Sequence, residues 1–367
     1  MPWRGAITIE TKLESPTKYP KIMGIKYDPQ DFSYASMTTT KWSWKANPLA
    51  LQELQAAGGR IQAFGPTQQI STVGKQLLES ELQANVDNQF MVEHAQQPWQ
   101  GLELILPARV TLKNKLHLEI TFETAQPSAF TMLLNVGAGS QMQLEREIHY
   151  PPASTRLNLL TCGKVEVDSR LNLVDRLQGG RSPQQSLWMA NLHCQKDAQL
   201  DWSFYPEVKG KVLGKCITVL EEQGSSAVFK VGQFGRQDDW IGIQGLIDHR
   251  APKTFSRIKM RGVLYEKAQV YFTSIGKINK GAHGANAAQE SRLMTIEPHA
   301  KGSVNPLLII DENDVQAGHA ASVGQYDEEA LYYLLSRGLV EADAKQILIN
   351  NFMEPVLPKV MVVNNDR

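Results

Sequence analysis

Short alternating segments return along the middle of this chain at a nearly fixed interval, and no other feature narrows the possible folds as much. One apolar position from each polar-flanked segment gives Met142, Leu171, Leu200 and Val228, at steps of 29, 29 and 28 residues. Val270 and Val304 extend the series at steps of 42 and 34. Several segments share a turn-then-strand shape, as in KDAQLDW, GSSAVFK, EKAQVYF and KGSVNPLL. Alternation of apolar and polar residues is the period of a half-buried strand. A strand unit repeated at this length suggests a solenoid whose coils stack into one continuous core. A sandwich or jelly roll supplies a similar count of short strands, so the period alone leaves both open.

The alternation begins near residue 100, with Leu102, Leu104 and Leu106, then Leu116, Leu118 and Ile120. It continues through 141–145, 164–167, 170–174, 199–204, 227–231 and 269–273, and no long helical pattern interrupts it before residue 290. Ahead of it, Pro16, Pro20, Pro29 and Pro48 break every pattern up to about residue 50. Two helical stretches follow. Leu49, Leu51, Leu54 and Ala57 form one apolar stripe ended by Gly58 and Gly59, and Leu77, Leu78 and Leu82 share a face within 73–83. Near the other end, Asp327 is an N-cap with Glu328 and Glu329 in the first turn, Leu331, Leu334 and Leu335 form the stripe, and Gly338 ends it. Glu341 and Asp343 open a second helix with Ala344, Ile347, Leu348 and Phe352 on its apolar face, stopped by Pro355 and Pro358. The expected organisation is an irregular and helical part over 1–98, a strand core over 99–316, and a helical domain over 317–367.

Composition closes off several function classes. Lys plus Arg and Asp plus Glu both number 38, so the chain lacks the basic excess of a nucleic-acid binder. No apolar run reaches the ~18 residues a transmembrane helix needs. The opening MPWRGAITIETKLESPTKYPK breaks into charge and proline before the apolar stretch of a secretory signal forms. The three cysteines, Cys162, Cys194 and Cys216, cannot all pair and match no metal knuckle, which fits small buried hydrophobes in a reducing cytoplasm.

Prebuilt catalytic motifs are scarce. GKVLGKC at 210–216 has three residues between its glycines where a phosphate loop needs four, and Cys216 stands where that loop holds magnesium with Ser or Thr. There is no GxGxxG after a strand and no GxSxG elbow. Acids cluster at Asp238-Asp239 and at Asp311, Glu312 and Asp314, which read first as solvated turn acids and second as a sugar-cleaving pair. None of the eight histidines forms HExxH or HxH, so no prebuilt zinc site is expected. His193 and Cys194 are neighbours on a strand and point to opposite faces. His319 differs in setting: it lies in AGHAASVGQ, small residues placed between the last strand and the capped helix, where a ligand or another backbone can approach closely.

The run from IGKINKGAHGANAAQESRLM through LYYLLSRGLVEADAKQILINNF carries a family signature. Its distinctive pieces are Gln289-Glu290-Ser291-Arg292, Asn305-Pro306, Asp314-Val315, Gly318-His319-Ala320, and Asp327-Glu328-Glu329 leading to Ser336-Arg337-Gly338. In register, they resemble the SufB/SufD family of iron–sulfur cluster assembly proteins, with the D subunit the closer match. The likeness weakens through HRAPKTFSRIKMRGVLYEKA and fades before residue 200, and the first 45 residues look short for the family. The resemblance implies a mainly β chain, a right-handed parallel β-helix flanked by helical parts at both ends. It implies a non-catalytic scaffold subunit in the cytoplasm that pairs with a SufB-type paralogue and docks a SufC-type ATPase, without nucleic acid or membrane as partner. No cofactor would be bound permanently. A transient iron–sulfur cluster would form at the interface with the SufB-type partner, and His319 matches the family histidine implicated there, as a metal ligand or a proton-handling group. Ala317 stands where some relatives have a cysteine two residues before it, so no thiolate comes from that spot. The closing helices would dock the ATPase, through Tyr332, Tyr333 and Arg337. Other readings are a free-standing β-helix hydrolase using the acids near Asp311, and a SufB-like subunit, whose cysteines should lie nearer His319 than the three present.

Overall fold

The computed structural model describes residues 22, 24–34, 37–65, 69–84, 88–97, 100–179 and 182–357. Expectations placed on Pro16, Pro20 and Pro358 lie outside those residues. A short 3-10 turn at Pro29–Phe32 comes first. Strands β1 (Trp42–Ala46) and β2 (Arg60–Phe64) bracket helix α1 (Pro48–Ala56), and helices α2 (Thr72–Ala84) and α3 (Gln89–Ala95) follow.

Eight coils then wind from Gly101 to Gly324, counted among the described residues, each giving one strand to either of two sheets. They are β3 (Gly101–Leu106) with β4 (Leu116–Phe122), β5 (Ser128–Val136) with β6 (Gln141–His149), and β7 (Arg156–Val165) with β8 (Arg170–Gln178). Next come β9 (Gln184–Cys194) with β10 (Gln199–Glu207), β11 (Gly210–Leu220) with β12 (Ser226–Gly235), and β13 (Trp240–His249) with β14 (Phe255–Leu264). The last two coils are β15 (Gln269–Ile278) with β16 (Ala285–Thr295), and β17 (Lys301–Ile310) with β18 (Val315–Gly324). Even-numbered strands from β4 form one parallel sheet and odd-numbered strands from β3 the other; β1 and β2 close one end of each sheet by antiparallel pairing. Helices α4 (Glu328–Ser336) and α5 (Glu341–Met353) complete the chain. A parallel β-solenoid is therefore the fold, and the sandwich alternative falls.

The register explains both the success and the failure of the sequence period. Met142 pairs with Leu171 and Leu171 with Leu200, all pointing inward, as the step of 29 residues requires. Leu200 pairs with Ala227, not Val228, because that coil is two residues shorter than the 29 of the coils before it. A slip of one residue turns a side chain to the other face, and Ala227 is buried while Val228 is half-buried on the outside. Val270 and Val304 belong to the other sheet, which lengthens the first step to 42; the second is 34 because Val270 pairs with Gly302 and Val304 stands two residues beyond it.

The two sheets also differ in what covers them. Strands β4, β6 and β8 alternate buried and partly exposed positions, since their outer face meets water. Strands β5, β7 and β9 are buried on both faces. Leu133, Leu160, Leu187 and Met189 point outward into a second core built with Leu78 and Leu82 of α2, Phe90 and Met91 of α3, and Phe32. Each such apolar side chain contributes about 1.5–3 kcal/mol on burial. Two-sided burial erases the alternation that marks a strand in sequence, so the second sheet was largely illegible.

Several local expectations are corrected. The described residues of 1–98 hold two strands and the short α3 besides the two expected helices. On α1 the buried face is Ala50 and Leu54, and Leu49 is exposed. The solenoid runs to Gly324 instead of stopping at 316. On α5 the buried residues are Ala344, Ile349 and Met353, whereas Ile347 faces water. Leu335 is exposed as well. The helix pair packs on the solenoid through one narrow seam around Val263 and Met294, so a stripe wide enough for a fully covered helix has no partner.

Candidate functional site

His319 sits in the middle of β18, not in a turn after the last strand. Parallel pairing with β16 sets Ala317 beside Ala287, His319 beside Gln289 and Ala321 beside Ser291. Ladder partners share a face, and Ala287, Gln289 and Ser291 are the buried, interior positions of β16. The imidazole therefore points to the interior side of the solenoid. It is nonetheless exposed, because β18 is the edge strand and, among the described residues, no further coil lies over it. Across the opening, β17 is the matching edge of the second sheet. Its interior row continues Phe272 as Val304, Ser274 as Pro306, Gly276 as Leu308 and Ile278 as Ile310. Pro306 has no N–H to offer a neighbour, a residue sheets tolerate at edges.

The open end is thus a shallow apolar floor with one imidazole in it. Ile310 and Val323 are 39% and 45% exposed. Gly318, facing the outer side of the same strand, has no heavy atom within 4 Å of where its Cβ would sit. Gln289 is buried; its Nε2 donates to the Leu307 carbonyl at 2.7 Å, while its Oε1 has no partner. The remainder of that signature motif is bracing: Ser291 Oγ donates to Ser274 Oγ at 3.2 Å, and Glu290 pairs with Arg261 and with Arg292.

Beside this opening stands the helical hairpin. Asp327 caps α4 as expected, its Oδ1 accepting from the N–H groups of Glu329 and Ala330 at 2.9 and 3.1 Å. Arg261 ties the hairpin down, donating from Nη1 to the Phe352 carbonyl at 2.6 Å and stacking on the Phe352 ring. Tyr205 Oη donates to the Val356 carbonyl. The opposite side of the hairpin is bare. Tyr332 is 75% and Tyr333 56% exposed, and Arg337 stacks over Tyr333 at 5.1 Å. Leu335, Val340 and Ile347 add exposed apolar surface.

The other sequence candidates do not converge on a site. Glu312 accepts from the Gly281 and Asn313 N–H groups at 2.9 and 2.8 Å, bonds that hold its carboxyl below the usual range. Asp239 is buried, which raises its carboxyl, and accepts from the Gly210 and Arg236 N–H groups. Asp238 alone of that pair borders a recess of about 620 Å³ lined by Arg156 and Lys211. Glu312 and Asp239 thus order turns. The segment 210–216 is strand, and Gly210, at φ +110°, is the point where a Cβ would strike the Gln184 backbone. All three cysteines are buried and unpaired; burial pushes the Cys194 thiol up to about 12. His193 and Cys194 do point apart: Cys194 lies in the main core, while His193 Nδ1 meets Glu221 at 2.7 Å and Nε2 meets Glu81 of α2. His249, in the HRAP stretch, is a satisfied core residue between Thr254 and Ser256.

Sequence reading passed over two polar groups. Arg146 and Asp175 occupy interior positions, in line with Leu144 and Leu173, and form a fully buried bidentate pair at 2.5 and 2.8 Å. The signal was present: a charge at an inward position of each alternating run. Also, the search for HxH or HExxH considers spacing along one strand only, whereas His117 and His149, on adjacent strands, both lie near Glu119 and Glu147.

With the fold, the open end and the hairpin established, comparison with known proteins becomes specific. The family model described as "SUF system FeS cluster assembly, SufBD core domain" matches residues 121–352, more than half of the chain. This chain belongs to the SufBD family. It is similar to the iron–sulfur cluster assembly protein SufD of Bacillus subtilis (strain 168), 36% identical over 167 residues, which are 46% of this chain and 38% of that protein. Two iron–sulfur cluster assembly SufBD family proteins of Mycobacterium tuberculosis (strain H37Rv) are 32% identical over 108 residues and 29% over 125. Those matches cover 29% and 32% of this chain, and 13% and 32% of the two relatives. The SufBD core takes in His319, Tyr332, Tyr333 and Arg337, but leaves out β1, β2, His117 and Glu119.

Proposed function

We propose that this chain is a non-catalytic, SufD-like scaffold subunit in iron–sulfur cluster assembly, working in the cytoplasm. The observation that carries the reading is the open solenoid end. Among the described residues, edge strands β17 and β18 leave a row of backbone N–H and C=O groups and an apolar floor without a covering coil. Natural proteins ordinarily blunt such edges with charge, bulges or a covering helix. An edge left open in a SufBD-family chain suits pairing with the matching end of a SufB-type paralogue, which would extend both sheets and enclose His319 between the two subunits.

The cluster would then be cargo held at that junction, not a resident cofactor. Among the described residues, no two other His, Cys, Asp or Glu side chains join His319 closely enough to share an ion. Thiolates would come from the partner, with His319 supplying a nitrogen or moving a proton. The hairpin surface at Tyr332, Tyr333 and Arg337 would receive a SufC-type ATPase: exposed aromatic and arginine side chains are the types that dominate protein interfaces.

Co-expression with a SufB-type paralogue and a SufC-type ATPase from the same source, followed by light scattering, tests the reading. A stable assembly holding one copy of this chain is expected. A monomer indifferent to both partners would sink it. Within the assembly, His319→Ala should leave complex mass unchanged and impair cluster delivery to an acceptor.

A further inference from the structure

One interior row of the first sheet changes chemistry as it reaches the open end. Parallel pairing sets Trp202 beside Phe229, Phe229 beside Ile258, Ile258 beside Gln289 and Gln289 beside His319. Large apolar side chains thus give way to an amide and then to an imidazole. A buried amide is stable only where its hydrogen bonds are made. Ile258, the inner neighbour of Gln289, offers none, so any partner within the row lies on the side of His319.

The amide is held in one orientation. Gln289 is only 4% exposed, and Gly276 of β15 makes room for it: a Cβ there would come within 2.8 Å of Nε2. Nε2 donates to the Leu307 carbonyl at 2.7 Å. A carbonyl only accepts, so the atom facing Leu307 is the nitrogen and Oε1 is turned the other way. Oε1 is itself buried and, among the described residues, has no hydrogen-bond partner. Of the interior positions flanking it on β16 and β18, Ala287, Ala317 and Ala321 carry no side-chain donor. Ser291 spends its hydroxyl proton on Ser274 at 3.2 Å. His319 carries the remaining side-chain N–H, on the same face and one strand spacing away, about 4.8 Å.

We propose that Gln289 is the positioning residue of His319: Oε1 accepts one ring N–H of the imidazole and leaves the other ring nitrogen bare toward the open end. The hydrogen bond at one nitrogen of a histidine decides which nitrogen carries the proton. Metal-ligating histidines donate their second N–H in this way to a carbonyl or carboxylate that orients the ring. The bond needs only a turn of the exposed imidazole about its own torsions, for which Ala317 and Ala321 leave room, and it satisfies an acceptor whose unpaired burial costs about 1–3 kcal/mol. What the bare nitrogen then does, holding iron or passing a proton, rests on the scaffold reading; the pairing of Gln289 with His319 does not.

Two measurements keep the pairing and the scaffold reading apart. The first is nitrogen NMR of isotope-labelled histidine rings in the full chain alone, at a pH above the usual histidine range so that the rings are neutral. The His319 signals are identified by their loss in His319→Ala. One dominant tautomer is expected in the wild type, and a mixture in Gln289→Met, which keeps the volume and removes both polar atoms. Gln289→Glu, whose carboxylate still accepts, should return the wild-type pattern. Unchanged His319 signals in Gln289→Met would overturn the pairing, because a merely space-filling Gln289 has no hold on the ring proton. If that variant does not fold, Gln289→Asn, an amide too short to reach the imidazole, is read in the same way. The second measurement is cluster delivery by the assembly with both partners. Gln289→Met should leave complex mass unchanged and slow delivery by ~10–100-fold, the range lost with an outer partner of a metal-bound histidine, and Gln289→Glu should restore most of it. Delivery at the wild-type rate in Gln289→Met, or equally slow in Gln289→Glu, would refute the positioning role. A wild-type chain that forms no complex counts against the scaffold reading, and the ring signals still decide the pairing.

Discussion

Asp175→Ala should be among the most damaging single changes in this protein, because it strands a charge inside the solenoid. The Arg146 guanidinium donates through Nε and Nη2 to the two oxygens of Asp175, and Trp202 Nε1 donates to Oδ2 at 2.8 Å. Both members of the pair are 1% exposed. The other contacts of Arg146 are weak: Met132 Sδ at 3.5 Å, Thr161 Oγ1 at 3.4 Å, and the Trp188 ring at 5.7 Å. Nothing nearby can replace the carboxylate, so removal leaves a buried cation and an orphaned indole N–H. Breaking a buried pair from one side costs about 3–5 kcal/mol, and the orphaned N–H falls within the same range as part of that loss. Replacing both partners with apolar residues, Arg146→Met with Asp175→Leu, removes the desolvated charges together and should cost no more than about 1–2 kcal/mol. The assay is urea unfolding at pH 7, followed by circular dichroism, on the wild type, both single variants and the double variant. A coupling energy of about 2 kcal/mol or more is expected. If Asp175→Ala cost under about 1 kcal/mol, or the double variant were as unstable as the single ones, the account of an uncompensated interior charge would be refuted.

Other outcomes follow from the same structure. Burial would lower the pKa of His193, but Glu221 and Glu81 outweigh it and raise the imidazole to about 9. Because the folded value lies above the unfolded one, this clamp of α2 on β9 is at full strength below pH ~6.5 and is lost as pH rises through ~9, a change of about 3 kcal/mol that His193→Gln should flatten in urea titrations. His94 behaves oppositely. Burial holds it down at about 3, between Tyr34 and Thr131, so stability should fall as acid protonates the unfolded chain below pH ~6.5, by about 2 kcal/mol at pH 5. Replacing His94 with Gln should remove that slope. Gly210→Ala forces a Cβ into a positive φ and to within 2.4 Å of the Gln184 carbonyl oxygen; it should cost well over ~1 kcal/mol, read as a drop in melting temperature. Tyr333→Asp with Arg337→Glu should leave the fold intact, since both side chains are exposed, and should weaken co-purification of the ATPase; undiminished recovery would move the docking surface elsewhere.

The sequence by itself determined the coil length of the water-facing sheet, while the choice between solenoid and sandwich waited for the strand order. Spacings such as Met142 to Leu171 to Leu200 are the coil length written directly into the chain, because one sheet faces water and must alternate. It also determined the capped α4, whose Asp327 acts within its own first turn, and the signature around His319. Local chemistry of this kind needs no distant partner, so it is legible along the chain. Tertiary structure decided what depends on contacts between coils. The second sheet lost its alternation because α2 and α3 bury its outer face. His319 became an interior-facing side chain at an open edge only through its register with Gln289. Arg146 found Asp175 at a separation of 29 residues, and His117 met Glu147 and its neighbours across two strands. In a solenoid every residue's neighbours are one coil away, close in space and roughly 30 residues distant in sequence. Motif spacing read along a single strand misses them for that reason.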